Sequence, residues 1–161
     1  MAGMDTSEEM RTVLNRALTP DRVTFVEGGT KEQVLLDLID VLAESPHVED
    51  KVALASAIFK REAIMSTGIG LGLAVPHIRI ASIHELVMAV AVSRAGISDY
   101  GSLDDQPVHL VFMIAAPEGR HVDYLRLLSA ISSRAKALNG RLLECVDAQT
   151  FYDVLVDTAG D

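Results

Sequence analysis

The sequence predicts an α/β fold: a three-layer domain with a mixed β-sheet flanked by helices on both faces. Three observations predict it. Helix-type periodicity dominates both ends of the chain, and two runs between them, Leu86 to Val92 and Val108 to Ala115, are apolar along their length. Strands of that kind must be covered on both faces, which helical layers above and below a sheet achieve. No internal repeat or low-complexity linker divides the chain, so a single domain over residues 1–161, with its core at about 13–156, is expected.

A first helix is expected over Ser7 to Leu18, where Thr6 and Glu9 have capping-box spacing and Pro20 follows the end. Val23 to Val26 is short and β-prone, and Gly28-Gly29 breaks it. Thr30 caps a second helix to about Ala43, with Gln33 at the box position and an apolar stripe of Val34, Leu35, Leu38, Ile39 and Leu42. Ser45-Pro46 forms a loop. A third helix runs from about Glu49 to Met65 with Val52, Ala55, Ile58 and Phe59 on one face, and the glycine segment ends it. Leu73 to Val75 reads as a short strand and Leu86 to Val92 as a buried one. Arg94 to Pro107 is rich in turn residues, with one brief strand near Ile97. Val108 to Ala115 is the clearest strand, and Pro117 stops it. A long helix over about Val122 to Leu138 uses Val122, Leu125, Leu128 and Ile131, and Asn139-Gly140 closes it. A last helix covers about Gln149 to Val156.

The formal net charge is −9, which argues against broad nucleic-acid or anionic-membrane binding and suits a partner with a basic face. No apolar run is long enough to span a bilayer, so no stable membrane insertion is expected. Met1 to Met10 carries three acidic groups and no apolar core, unlike a secretory signal, so the expected compartment is the cytoplasm. Cys145 is the only cysteine, which rules out an intrachain disulfide and a cysteine metal cage; it reads as a small buried apolar group. No histidine pair has the helical spacing of a zinc site, and neither a metal nor a cofactor is expected.

The chemistry concentrates in 66–77, Ser-Thr-Gly-Ile-Gly-Leu-Gly-Leu-Ala-Val-Pro-His. Gly68, Gly70 and Gly72 let backbone N–H groups approach an anion, and Pro76 fixes the backbone leading into His77. A neutral imidazole, with an ordinary pKa of ~6.5, is a competent nucleophile toward phosphorus. A phosphohistidine needs donors; the glycine N–H groups, the hydroxyls of Ser66 and Thr67, and the cations Arg61 and Arg79 are the candidates. Local residues alone are equally consistent with a turn histidine beside a structural glycine loop. The spacing is neither a Walker loop, lacking Gly-Lys-Ser/Thr, nor a dinucleotide fingerprint. His121, at the predicted start of the long helix after Pro117-Glu118-Gly119-Arg120, is placed to donate from a neutral ring to a phosphoryl oxygen. His47, His84 and His109 read as structural or solvated.

At these residues the chain resembles the enzyme IIA domains of the fructose/mannitol class in the bacterial phosphoenolpyruvate-dependent phosphotransferase system, a group that includes nitrogen-regulatory IIA proteins. The first matching signature is Arg61-Glu62, Ser66 to Gly70, Gly72 and Val75-Pro76-His77. The second is Pro107 to Leu110, an apolar strand, Ala115-Ala116-Pro117, His121 and Leu125-Arg126-Leu127-Leu128. Leu18-Thr19-Pro20 and Thr30-Lys31-Glu32 fit the family opening, so the likeness spans about Val13 to Val156.

The resemblance implies that His77 accepts a phosphoryl group from the histidine-containing phosphocarrier protein. The group then passes to a IIB domain, or is held as a regulatory mark that changes binding to a protein target. It implies that His121 is the second active-site histidine and Arg61 an electrostatic partner. Two positions depart from the family pattern. Leu71 stands where an asparagine is usual, and Ile78 follows the active histidine where glycine is common. A slower or altered donor interaction, or a degenerate binding module without phosphotransfer, is what those departures imply.

Overall fold

The structure is a computed structural model and describes residues 6–119 and 121–156. The elements follow the order α1 (Thr6–Ala17), a 3₁₀ turn (Pro20–Arg22), β1 (Val23–Val26), α2 (Lys31–Ala43), α3 (Lys51–Ile64), β2 (Gly68–Gly70), β3 (Leu73–Ala74), β4 (His77–Arg79), β5 (Val87–Ile97), β6 (Val108–Ala116), α4 (His121–Glu144) and α5 (Ala148–Val156). The predicted Thr6 cap rests on a side chain that the structure does not describe, and Arg120 lies outside the described residues. Thr30 caps α2 by accepting from the Gln33 N–H at 3.2 Å, and Asp50 caps α3 by accepting from the Ala53 N–H at 3.0 Å.

The six strands form one mixed sheet in the order β1-β5-β6-β3-β2, with β4 also paired to β6. β1 runs parallel to β5, β5 antiparallel to β6, and β3 and β4 both parallel to β6. Alternation along β5 and β6 divides the core. Met88, Val90, Val92, Leu110, Phe112 and Ile114 pack with α1, α4 and α5, while Val87, Ala89, Ala91, Val111, Met113 and Ala115 pack with α2 and α3. The expected three layers with a mixed sheet are therefore observed.

Four local expectations are corrected. The glycine segment is no open loop: Gly68–Gly70 pairs antiparallel with β3, with a bulge. β5 does not stop at Val92; a register irregularity carries it to Ile97, which pairs Val108. α4 passes through Asn139-Gly140 to Glu144, because Leu138 and Leu142 are both buried and tertiary packing outweighs the local stop signal. The buried helix faces are also rotated from prediction. α3 buries Leu54, Ile58 and Glu62 and leaves Val52 78% exposed; α4 buries Tyr124, Leu127 and Ile131 and leaves Val122 62% and Leu125 60% exposed. In α3 the inward charge of Glu62 has cationic and hydroxyl partners waiting, which periodicity in apolar residues does not register.

β3 and β4 hang in series from the same edge of β6. Leu73 and Ala74 pair Leu110 and Val111; after Pro76, His77 and Arg79 pair Ile114 and Ala116. Proline supplies no N–H to a ladder, so Pro76 falls at the break, and its carbonyl accepts from the Ile114 N–H at 2.9 Å.

Candidate functional site

The period of two along β4 puts His77 and Arg79 on one side and Ile78 on the other. Ile78 is buried in the core against α2 and α3, so its bulk goes inward. His77 is half-buried at the start of β4, where its Nδ1 lies 2.6 Å from the Val75 carbonyl oxygen. A carbonyl only accepts, so Nδ1 carries the proton and Nε2 presents its lone pair.

Two cavities border His77. One, of about 510 Å³, is lined by Ala57, Arg61, Ile78, Arg79, Ile80, Glu118, His121 and Tyr124 together with His77. The other, of about 340 Å³, is framed by Arg61, Met65, Leu103, Leu128 and the 66–69 segment. The structure thus brings His77, His121, Arg61 and Arg79 to one cavity although they come from β4, α4 and α3.

Each cation is held. Arg61 donates to the Met65 carbonyl at 2.8 Å, across the end of its own helix. Arg79 contacts Nδ1 of His121 and lies over the Tyr124 ring, 5.2 Å from its centroid. A guanidinium only donates, so the nearer ring nitrogen of His121, Nδ1, is the acceptor, while Nε2 lies 3.4 Å from the same Arg79 nitrogen. The Tyr124 ring stands 6.1 Å from that of His77, tilted by 49°.

The remaining predicted anion ligands are already engaged. The Thr67 hydroxyl donates to Glu62 at 2.5 Å and meets the Tyr100 hydroxyl at 2.9 Å. Its single proton is committed to the carboxylate, so Tyr100 is the donor of that second bond. Ser66 donates to the Gly101 carbonyl at 2.6 Å and accepts from the Gly68 N–H at 3.3 Å. Gly68 is needed because a Cβ there would lie 2.4 Å from the Gly101 carbonyl oxygen. Gly70 and Gly72, at φ of +96° and +75°, turn the β2–β3 hairpin and line neither cavity. Leu71 is at the hairpin tip; its N–H donates to Asp104 at 2.9 Å and its carbonyl accepts from Asn139 at 2.6 Å.

Beneath this segment Glu62 also pairs with Lys31 at 2.8 Å and accepts from the Thr67 N–H at 3.2 Å. Lys31 lies 4.5 Å from the Tyr100 ring centroid. Burial, aided by the Glu62 charge, pushes the Tyr100 hydroxyl far above its ordinary range, so it stays protonated. Sequence reasoning named Glu62 only within the Arg61-Glu62 signature and Glu118 only within the run before His121; it gave a role to neither, nor to Tyr100 or Tyr124. For Tyr124 one signal was available, its spacing of three residues from His121, which places both on one helix face. His109 is confirmed as structural, with Nδ1 2.8 Å from the Ser93 carbonyl. Among the described residues no group of three or more His, Cys, Asp or Glu is gathered to hold a metal ion, and no helix is long and apolar enough to cross a membrane.

The chain has counterparts among known proteins. The family model described as phosphoenolpyruvate-dependent sugar phosphotransferase system, EIIA 2, matches residues 16–157. A fructose-specific EIIABC component of Bacillus subtilis is 39% identical over 132 residues, covering 81% of this chain and 21% of that protein's length. A fructose-specific EIIA component of Haloferax volcanii is 35% identical over 144 residues, covering 87% and 93% of the two chains. The crystal structure of nitrogen regulatory protein IIA-Ntr from Neisseria meningitidis superposes with a TM-score of 0.80 at 25% identity, covering 89% of this chain and 99% of that one. On the extent of the model match, and on two relatives sharing more than a third of their aligned residues, this chain belongs to the EIIA 2 family of the phosphoenolpyruvate-dependent sugar phosphotransferase system.

Proposed function

We propose that this chain is a phosphohistidine carrier whose acceptor atom is Nε2 of His77. One observation carries the reading: the 2.6 Å contact between His77 Nδ1 and the Val75 carbonyl, which leaves Nε2 as the ring nitrogen with a free lone pair in a residue that lines the cavity. The donor is the phosphohistidine of a histidine-containing phosphocarrier protein. The Nε2 lone pair forms the new N–P bond as the donor's N–P bond breaks, and that electron pair returns to the donor nitrogen. The His77 proton stays on Nδ1, donated to the Val75 carbonyl, which supports the positive charge the ring acquires. Arg61, Arg79 and His121 meet the charge on the phosphoryl oxygens, so catalysis is positioning and electrostatics. Ser66, Thr67 and Gly68 form the ledge that holds this constellation, and Gly70 and Gly72 shape the hairpin behind it.

The phosphoryl group then passes to a IIB domain in the cytoplasm, or remains on His77 as a mark read by a protein target. The relatives carry both fructose-specific and nitrogen-regulatory names, and both outcomes use the same first step. Ile78 is buried although it borders the larger cavity, and Leu71 lines neither cavity, which favours a working acceptor over a degenerate module.

The test is intact mass after incubation with phosphoenolpyruvate, enzyme I and the histidine phosphocarrier protein, with His77→Ala in parallel. One acid-labile phosphoryl gain, absent in the variant, is expected. No gain from a donor shown to be active on another acceptor overturns the reading.

A further inference from the structure

Tyr124 lines the larger cavity, and no part of the reaction so far requires its hydroxyl. It is 9% exposed, on the first turn of α4, three residues after His121 and on the same face. Its ring is beside that of His77 and beneath the Arg79 guanidinium. A phenylalanine would supply both contacts. The hydroxyl adds nothing to either contact; no hydrogen bond engages it among the described residues and it is not enclosed, so it is free to meet a ligand.

Its electrical surroundings indicate the kind of ligand. Burial raises the pKa of the hydroxyl, so it is protonated at neutral pH, while the charges of Arg79 and then Arg61 act in the opposite sense. The hydroxyl thus lies in the combined field of the two cations that line the cavity, where an anion would be drawn. A phosphoryl group brings three strong acceptor oxygens to that place. Arg61, Arg79 and His121 approach those oxygens from α3, β4 and the helix start; Tyr124 closes the α4 wall between His77 and Arg79.

We propose that the Tyr124 hydroxyl is a phosphoryl ligand, donating a hydrogen bond to a non-bridging oxygen of the group carried on His77 while its ring seats Arg79 over the same group. The inference rests on the phosphocarrier reading of His77. Tyr124 keeps its proton throughout; the N–P bond made at His77 and the one broken on the donor are unchanged by its role. A donor of this kind strengthens as charge accumulates on the oxygens in transfer, and it persists in the phosphorylated protein.

The test uses the full chain as wild type, Tyr124→Phe and Tyr124→Leu. The donor is phosphoramidate, a small molecule that needs no protein surface; the phosphorylated phosphocarrier protein is the second donor. Phosphoryl gain is followed by intact mass, and the phosphohistidine by its phosphorus NMR resonance. Tyr124→Phe is expected to lower the second-order rate constant by about tenfold or more with both donors, as for loss of a hydrogen bond to a charged group. It should also shift the phosphohistidine resonance and leave the melting temperature at the wild-type value. Tyr124→Leu should lose more, because Arg79 loses its seat. Equal rates and an unshifted resonance in Tyr124→Phe overturn the proposal while the wild-type gain leaves the carrier reading standing. A rate loss accompanied by a matching loss of thermal stability and an unshifted resonance assigns Tyr124 to structure and also overturns it. If the wild type takes phosphate from neither donor, the carrier reading falls and this proposal with it.

Discussion

Lys31 and Glu62 meet at 2.8 Å below the His77 cavity, joining the start of α2 to the last turn of α3. The Glu62 side chain is 5% exposed, so the pair is desolvated, and both carboxylate oxygens are further bonded to Thr67. Replacing one partner strands the other. Glu62→Ala is expected to destabilise the fold by about 2 kcal/mol, since it leaves a half-buried ammonium, an N–H and a hydroxyl without their acceptor. Glu62→Gln, which retains an acceptor, should cost less. Urea midpoints for the three proteins check the order; equal stability of wild type and Glu62→Ala would sink the account.

Arg79 serves two contacts at once, with His121 through an N–H and with Tyr124 through its face. Lysine can mimic its charge and neither of those geometries. Arg79→Ala is expected to slow phosphoryl acceptance by about tenfold to a hundredfold, and Arg79→Lys to recover only a small part of the loss. Single-turnover rates from one saturating donor decide it. Full recovery by lysine would show that bare charge suffices.

Leu71 is held at φ +57°, in the left-handed region where a leucine is strained and asparagine or glycine is not. Leu71→Asn should stabilise the protein by about 1 kcal/mol, while leaving phosphoryl acceptance by His77 unchanged, because residue 71 lines neither cavity. Thermal melting and the mass assay read the two halves separately. A gain in transfer rate without a gain in stability would place residue 71 in the donor contact instead.

Asp104 accepts from the backbone N–H of Leu71 and then of Gln106, and these bonds hold its carboxyl below the usual range. A depressed folded-state pKa means that the stabilisation is present above the unfolded value of about 3.9 and is lost as pH falls through the lower folded one. Wild type should therefore exceed Asp104→Asn in stability at neutral pH, and the two should converge in acid. Urea midpoints across that interval measure the convergence; a constant gap would contradict it.

The strand Val108–Ala115 and the helix capped by Thr30 can be read from the chain because their signals are local: an unbroken apolar run, and a cap with its helix stripe. His77 as a strand residue cannot, since β4 has three residues and exists only because β6 continues past Pro76 to receive it. The end of α4 is hidden for a similar reason. Asn139-Gly140 is a stop signal, but Leu142 packs in the core beyond it, and the Asn139 amide bonds the Leu71 carbonyl rather than capping its own helix. At the site, His77, His121 and Arg61 stand out by motif. Glu62 shares that motif, but its inward charge, like the buried phenol of Tyr100, makes sense only once α2, α3 and the segment before β6 have met.

The cavity before His77 is rimmed by the exposed side chains of Arg79, Glu118 and His121. On the carrier reading proposed above, this exposed rim would admit water as well as another protein's histidine. The charged protein is then a clock. From the moment the N–P bond forms, hydrolysis competes with handover, and the outcome depends on whether the next protein arrives within the lifetime of that bond. Concentration of the recipient, rather than a conformational gate, would set how much of the signal or cargo is delivered.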